Sequence, residues 1–138
     1  MMSTPTPSSD AATARMKANR RRDTGPERRL RSELHRRGLR FRVDYPTGVP
    51  GVRSRPDIIF TRKRLAVYVD GCFWHRCPIH GTAPKANESF WAQKLDANVT
   101  RDRRVTAALE TAGWRVLRIW EHVSAEVAAD LVVDELSR

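Results

Sequence analysis

Apolar positions recur along this chain with two periods, and together they divide it into helices and strands. Leu30 and Leu34 stand four apart among polar neighbours, which puts them on one face of a helix. Asp23 or Thr24 can cap that helix, Pro26 suits its first turn and Glu27 lies where the helix dipole favours an anion. It should run to about Arg37 and stop at Gly38. From Arg40 to Tyr45 the period changes to two: Phe41, Val43 and Tyr45 alternate with Arg40, Arg42 and Asp44, which predicts a half-exposed strand. A Pro- and Gly-rich loop, 46–55, leads to a second strand over Pro56–Phe60. A basic turn, Thr61 to Arg64, then feeds the continuous apolar run Leu65–Val69, the pattern of a central buried strand. A long helix is expected from about Asn87 to Ala112, with a stripe of Trp91, Leu95, Val99, Val105, Ala108 and Leu109, ended by Gly113. Trp114–Trp120 reads as a buried strand and Ser124–Leu136 as a closing amphipathic helix around Val127, Leu131 and Val132. This order predicts one small α/β domain, a central mixed sheet flanked by helices, with no internal repeat.

Composition narrows the partner. The 138 residues include 26 Lys+Arg against 16 Asp+Glu, a net charge of +10, and the basic residues spread along the chain without flanking any apolar anchor. A polyanion fits that charge, nucleic acid before membrane. No run approaches the roughly 20 apolar residues of a spanning helix. The start is Ser-, Thr- and Pro-rich without an apolar signal stretch, so a cytosolic protein is expected. Residues 1–20 should form a disordered N-terminal arm, basic from Arg15 onward, preceding a domain over 21–138. The two Cys lie close together, and in a reducing compartment metal ligation suits them better than a disulfide.

Three constellations carry candidate chemistry. First, Asp57 opens one strand and Asp70 closes the next, so a hairpin through 61–64 brings both carboxylates to one edge of the sheet. Oxygen ligands of this kind suit Mg²⁺, and Glu27 and His75 can complete the site, since a His steered by a carboxylate serves as general acid or base. Second, Cys72, Cys77 and His80 can reach one ion from a single loop, and structural zinc needs a fourth ligand. His35, His75 and His122 remain for that position. His122 is the choice if the strand before it neighbours Leu65–Val69. Third, Phe73-Trp74 and Phe90-Trp91 flank the metal loop and could wedge between base steps, with Lys94, Asn98, Arg101, Arg103 and Arg104 on the helix beyond. Core packing explains Trp114 and Trp120, and a solvated face explains Arg103 and Arg104 equally well.

With these residues in place the chain resembles the very-short-patch-repair (Vsr) mismatch endonucleases, a zinc-containing branch of the PD-(D/E)xK nucleases. The resemblance spans roughly Arg15 to His122. It rests on Arg22-Asp-Thr-x-x-Glu27, Arg55-Pro-Asp57, Gly71-Cys-Phe-Trp-His75, Phe90-Trp91-x-x-Lys94-x-x-x-Asn98-x-x-Arg-Asp-Arg103 and Gly113-Trp-Arg-Val-Leu-x-x-Trp-Glu121. It implies a restriction-endonuclease-like fold with a structural zinc site, and an enzyme that nicks DNA 5′ to the thymine of a T·G mismatch left by deaminated 5-methylcytosine. By resemblance, Asp57 and the backbone carbonyl of Val69 would bind Mg²⁺, and His75 would be the catalytic imidazole oriented by Glu27. Phe73, Trp74 and Trp91 would form the wedge, Lys94 and Asn98 would touch the mispaired bases, and Met16 matches an arm residue at the opposite groove. Cys72 matches a zinc ligand, and His122 stands where the family has a Cys. Two departures stand out: family members have a His where this chain has Asp70, and Cys77-Pro-Ile-His80 reorders the metal loop. The first suggests that Asp70 joins Asp57 as a metal ligand. The expected partners are mismatched duplex DNA and other mismatch-repair proteins, and the protein is expected to act in the cytoplasm at the nucleoid as a monomer that cuts one strand. A general nuclease without mismatch preference and a decayed zinc-stabilised DNA-binding module are the alternatives.

Overall fold

The computed structural model describes residues 25–72 and 88–138. The expected arm over 1–20, with Met16, and the Asp23/Thr24 cap lie outside the described residues. Helix α1, Gly25–Arg36, buries Leu30 and Leu34 with Glu27 and Glu33. Its end is fixed by Gly38 at φ 81°. The Leu39 amide reaches back to the Leu34 carbonyl at 3.0 Å and the Gly38 amide to His35 at 2.9 Å. That paired closure needs a left-handed residue, which glycine supplies without steric cost.

Strands β1, Ile58–Phe60, and β2, Leu65–Asp70, form the expected antiparallel hairpin, with Ile58 opposite Val67 and Phe60 opposite Leu65. Helix α2, Glu88–Thr111, crosses over to β3, Arg115–Trp120, which pairs parallel with β2 from Leu65↔Arg115 to Asp70↔Trp120. The sheet order is β1-β2-β3, so it is mixed, with β2 in the middle. Helix α3, Ala125–Leu136, closes the chain, and the Ser124 hydroxyl caps it by accepting from the Val127 amide. Such a cap contributes about 1 kcal/mol.

The period-two alternation of β2 sorts its side chains to two faces. Leu65, Val67 and Val69 join Ile58, Phe60 and Ile119 against Leu30 and Leu34 of α1 and Ala128, Ala129 and Val132 of α3. Ala66 and Tyr68 join Ile59 against Val105 and Leu109 of α2 and Trp114 beyond it. Arg37 ties the two helices of the first face together, donating to Asp130 at 2.8 Å and to the Glu126 carbonyl at 3.2 Å. The result is a three-layer domain around one apolar sheet, in which each fully buried large side chain contributes roughly 1.5–3 kcal/mol. No helix among the described residues is long and apolar enough to cross a membrane.

Several expectations change. On α3 the buried face is Ala128, Ala129 and Val132, while Val127 and Leu131 are exposed, and β3, at the sheet edge, buries only Ile119. The strand over Arg40–Tyr45 shrinks to one bridge, in which Arg42 and Ile59 exchange backbone hydrogen bonds of 3.0 and 2.9 Å. Asp44 turns to φ 54°, which breaks the extended run, and Val43 and Tyr45 are left exposed. Of the alternating set Phe41 is the one packed inward, stacked on His35 at 4.5 Å, while Tyr45 lies under the Arg42 guanidinium at 5.0 Å. On α2 the buried face includes Asn98 where Val99 was expected: Trp91, Leu95, Asn98, Val105 and Leu109 are buried and Val99 is half-buried. Steps of three and four residues along a 3.6-residue helix select Asn98, so a polar side chain enters an otherwise apolar stripe.

Candidate active site and metal centre

The candidate site gathers where β2 and β3 end side by side. The β1–β2 ladder stops at Ile58, because the preceding residues are Asp57 and Pro56, and proline has no amide to continue it. Past the end of that ladder the Val69 N–H goes to a side chain. Asp57 Oδ2 accepts it at 2.7 Å, which fixes that carboxylate beside the Val69 backbone. The sequence expected Asp57 and Asp70 at one edge, and the hairpin register brings Asp57 within one residue of Asp70 through this bond.

Asp70 is buried, 6% exposed, and its carboxylate faces Arg118. Nη1 of Arg118 lies 3.0 Å from Oδ1 and 3.3 Å from Oδ2. The parallel register explains the meeting: Arg118 pairs with Tyr68 on the α2 side of the sheet, and Asp70 follows two residues along on the same side. The Arg118 guanidinium also lies over the Tyr68 ring at 4.3 Å. Burial pushes the Tyr68 hydroxyl above its ordinary pKa, while its hydrogen bond with Ser54 at 3.1 Å acts in the opposite direction. Arg118 went unread in the sequence, although the signal was there. A cation inside the apolar strand Arg115–Trp120 demands a buried partner.

One step past the strands, the Cys72 amide donates to Glu121 Oε1 at 3.1 Å, and Cys72 Sγ lies 3.4 Å from His122 Nδ1. The ladder continues just far enough to arrange this, since the Glu121 amide donates to the Asp70 carbonyl at 3.0 Å. Two ligands on one tetrahedral zinc, with Zn–S of about 2.3 Å and Zn–N of about 2.0 Å, would stand roughly 3.5 Å apart. The thiol–imidazole separation fits a shared ion. Cys77 and His80, the other two expected ligands, lie outside the described residues. Among the described residues alone, no group of three or more His, Cys, Asp or Glu side chains could hold a metal.

The remaining expected site residues divide. His75, Phe73 and Trp74 lie outside the described residues. Glu27 sits in the first turn of α1 at 2% exposure. Among the described residues the buried polar side chains are Glu27, Glu33, Asp70 and Asn98. Glu33 is explained by ion pairs with Arg36 and Arg37 on its own helix and its surroundings. The other three are the residues expected for the site. Asn98 Oδ1 accepts from Arg101, and Lys94 is half-buried one turn earlier on α2. Trp91 departs from an exposed wedge: it is 7% exposed, edge-on to Phe90 at 5.2 Å. Its place on the buried stripe of α2, four residues before Leu95, is the physical reason.

Comparison with known proteins places this arrangement. The family model described as DNA mismatch endonuclease Vsr matches residues 7–80, which include α1, β1 and β2. The type II nicking enzyme V.NaeI of Lentzea aerocolonigenes is 49% identical over 133 residues, covering 96% of this chain and 80% of that protein. V.XorIIP, a type II nicking enzyme of Xanthomonas oryzae pv. oryzae, is 41% identical over 116 residues, 83% of this chain and 82% of its own. The DNA mismatch endonuclease Vsr of Escherichia coli is 42% identical over 108 residues, 77% of this chain and 66% of its own. The small mixed sheet with its acid-bearing strand end is thus that of a Vsr-type endonuclease. The chain belongs to the DNA mismatch endonuclease Vsr family.

Proposed function

We propose that this protein is a Mg²⁺-dependent DNA endonuclease that nicks one strand 5′ to the thymine of a T·G mismatch and so starts very short patch repair. The observation that carries the reading is the Asp57–Val69 bond at the end of β2, in a chain of this family. Asp57 and the Val69 carbonyl are hard oxygen donors of the kind Mg²⁺ takes, and Asp70 stands next to them. The ion would supply charge neutralisation at the scissile phosphate and a more acidic bound water. Val69 holds the Asp57 carboxylate in one orientation through its amide. His75, steered by Glu27, would serve as general base or acid, taking a proton from the attacking water or giving one to the leaving oxygen. Cys72 and His122, with Cys77 and His80, would hold a structural zinc, which would supply a cross-link between the end of β2 and the end of β3.

The +10 charge favours the duplex, and Phe73, Trp74 and Trp91 with Lys94 and Asn98 read the mismatch. A second reading, nicking without mismatch preference, is favoured by the covered position of Trp91 and by relatives described simply as nicking enzymes. One assay separates them: cleavage of matched, T·G and other mismatched duplexes with Mg²⁺ and with chelator. Nicking confined to T·G substrates and abolished by chelator is expected. Equal nicking of matched DNA overturns mismatch specificity, and binding without any nicking leaves a DNA-binding module in its place.

A further inference from the structure

Arg118 takes no part in the function proposed above, yet its guanidinium is anchored on every side. Nε donates to the Thr106 hydroxyl at 2.9 Å and Nη2 to the Asp102 carbonyl at 3.3 Å, both on α2. Its plane rests on Tyr68 of β2, and Nη1 meets both oxygens of Asp70. A fork fixed by two neutral acceptors and an aromatic face cannot follow the carboxylate, so Asp70 is the member that is held. The pair is well enclosed, with side-chain exposures of 22% for Arg118 and 9% for Asp70, so an uncompensated charge on either would be costly. Asp102 is a more distant third charge, 3.9 Å from the same nitrogen.

We infer that Arg118 is a positioning residue that fixes Asp70 and cancels its charge, so that Asp70 acts on the metal edge through this pair and not as a direct ligand. The inference rests on the reading that the ion binds at Asp57 and the Val69 carbonyl. It has a distinctive electrostatic signature. Removing Asp70 alone adds one unit of positive charge beside the ion site, removing Arg118 alone adds one unit of negative charge, and removing both restores the original net charge. A unit charge within several ångströms of a divalent ion changes its affinity by about tenfold or more.

The test is Mn²⁺ binding to the full chain, followed by electron paramagnetic resonance of the free ion, with the Mg²⁺ dependence of nicking as a second readout. Asp70→Asn should weaken binding about tenfold and Arg118→Met should tighten it by a similar factor, with Asp70→Asn/Arg118→Met returning near the starting affinity. Arg118→Lys, which keeps the charge, should stay close to the unaltered protein. If Arg118→Met does not fold, Arg118→Lys, the Asp70→Asn variant and the double variant still decide the matter, because removing both partners leaves no buried charge behind. Equal, large losses in Asp70→Asn and the double variant would make Asp70 a direct ligand and overturn the inference while leaving the metal site in place. A larger loss for Asp102→Asn than for Asp70→Asn would assign Arg118 to the wrong carboxylate. Mn²⁺ binding that ignores Asp57→Asn would remove the metal reading itself, and the inference with it.

Discussion

Asp57 has two jobs open to it, and one substitution separates them. Its Oδ2 accepts the Val69 amide at 2.7 Å, so it could simply cap the end of the β1–β2 ladder. Asp57→Asn keeps an acceptor at that position and exchanges a charged hydrogen bond for a neutral one, a loss of about 1 kcal/mol of stability. Asp57→Ala removes the acceptor and leaves the Val69 amide unpaired, at roughly 1–3 kcal/mol. Loss of a carboxylate that holds a catalytic metal costs several kcal/mol in the transition state, about a hundredfold or more in rate. The two effects therefore fall in different orders: stability should rank unaltered, Asn, then Ala, whereas nicking should collapse equally in Asn and Ala. Urea denaturation gives the first series and single-turnover nicking of a T·G duplex in Mg²⁺ the second, with duplex affinity little changed throughout. Nicking by Asp57→Asn within a few-fold of the unaltered protein would falsify the catalytic assignment and leave Asp57 as a structural cap.

Other tests bear on the remaining parts of the site and on its frame. Purified protein should carry about one zinc per chain, and metal analysis should show less in Cys77→Ser and in His122→Ala; unchanged content in either strikes that residue from the ligand set. Hydrogen bonds from Arg37 and then Arg36 hold the Glu33 carboxyl below its ordinary 4.5. The stability Glu33 contributes is therefore present above pH 4.5 and lost as pH falls through the lowered folded value. The gap in urea midpoint between the unaltered protein and Glu33→Gln should narrow as pH falls below 4.5; a gap that does not change as the pH is lowered would rule this out. Leu95→Ala, at a fully buried position on α2, should destabilise by about 2–5 kcal/mol in urea, and a cost below about 1 kcal/mol would mean that the helix collapses onto the vacated space.

Much of the frame was legible because hydrophobic period and terminating glycines agree locally. The β1–β2 hairpin, α2, β3 and α3 fall within one or two residues of expectation, and Gly38 and Gly113 both stop helices at positive φ. The Arg40–Tyr45 alternation misled because a period of two reports which face could be apolar. It cannot report whether a backbone such as that of Asp44 stays extended. The convergence of Cys72 with His122 was readable, since it followed from placing two consecutive buried strands side by side. Arg118 was not read as Asp70's partner, because a pairing across a parallel register depends on which residues stand opposite, and the sequence does not set that alignment. The resemblance, with its place among basic residues on the helix, assigns Asn98 to the mispaired bases, whereas its burial and its bond with Arg101 describe how it is held in the free protein.

The parallel seam between β2 and β3 also orders events in time. Asp57 and Val69 are 12 positions apart and meet through a local hairpin, while Asp70 and Arg118 are separated by 48 positions and Cys72 and His122 by 50. Local closures form on the scale of microseconds, and distant ones wait for the chain between them to be fixed. On the ribosome, the Asp57–Val69 corner can therefore assemble while the last strand is still being made. The sulfur–nitrogen corner and the arginine clasp arrive together, once β3 docks. His122 and Arg118 thus become late locks on a site whose first carboxylate is already in place.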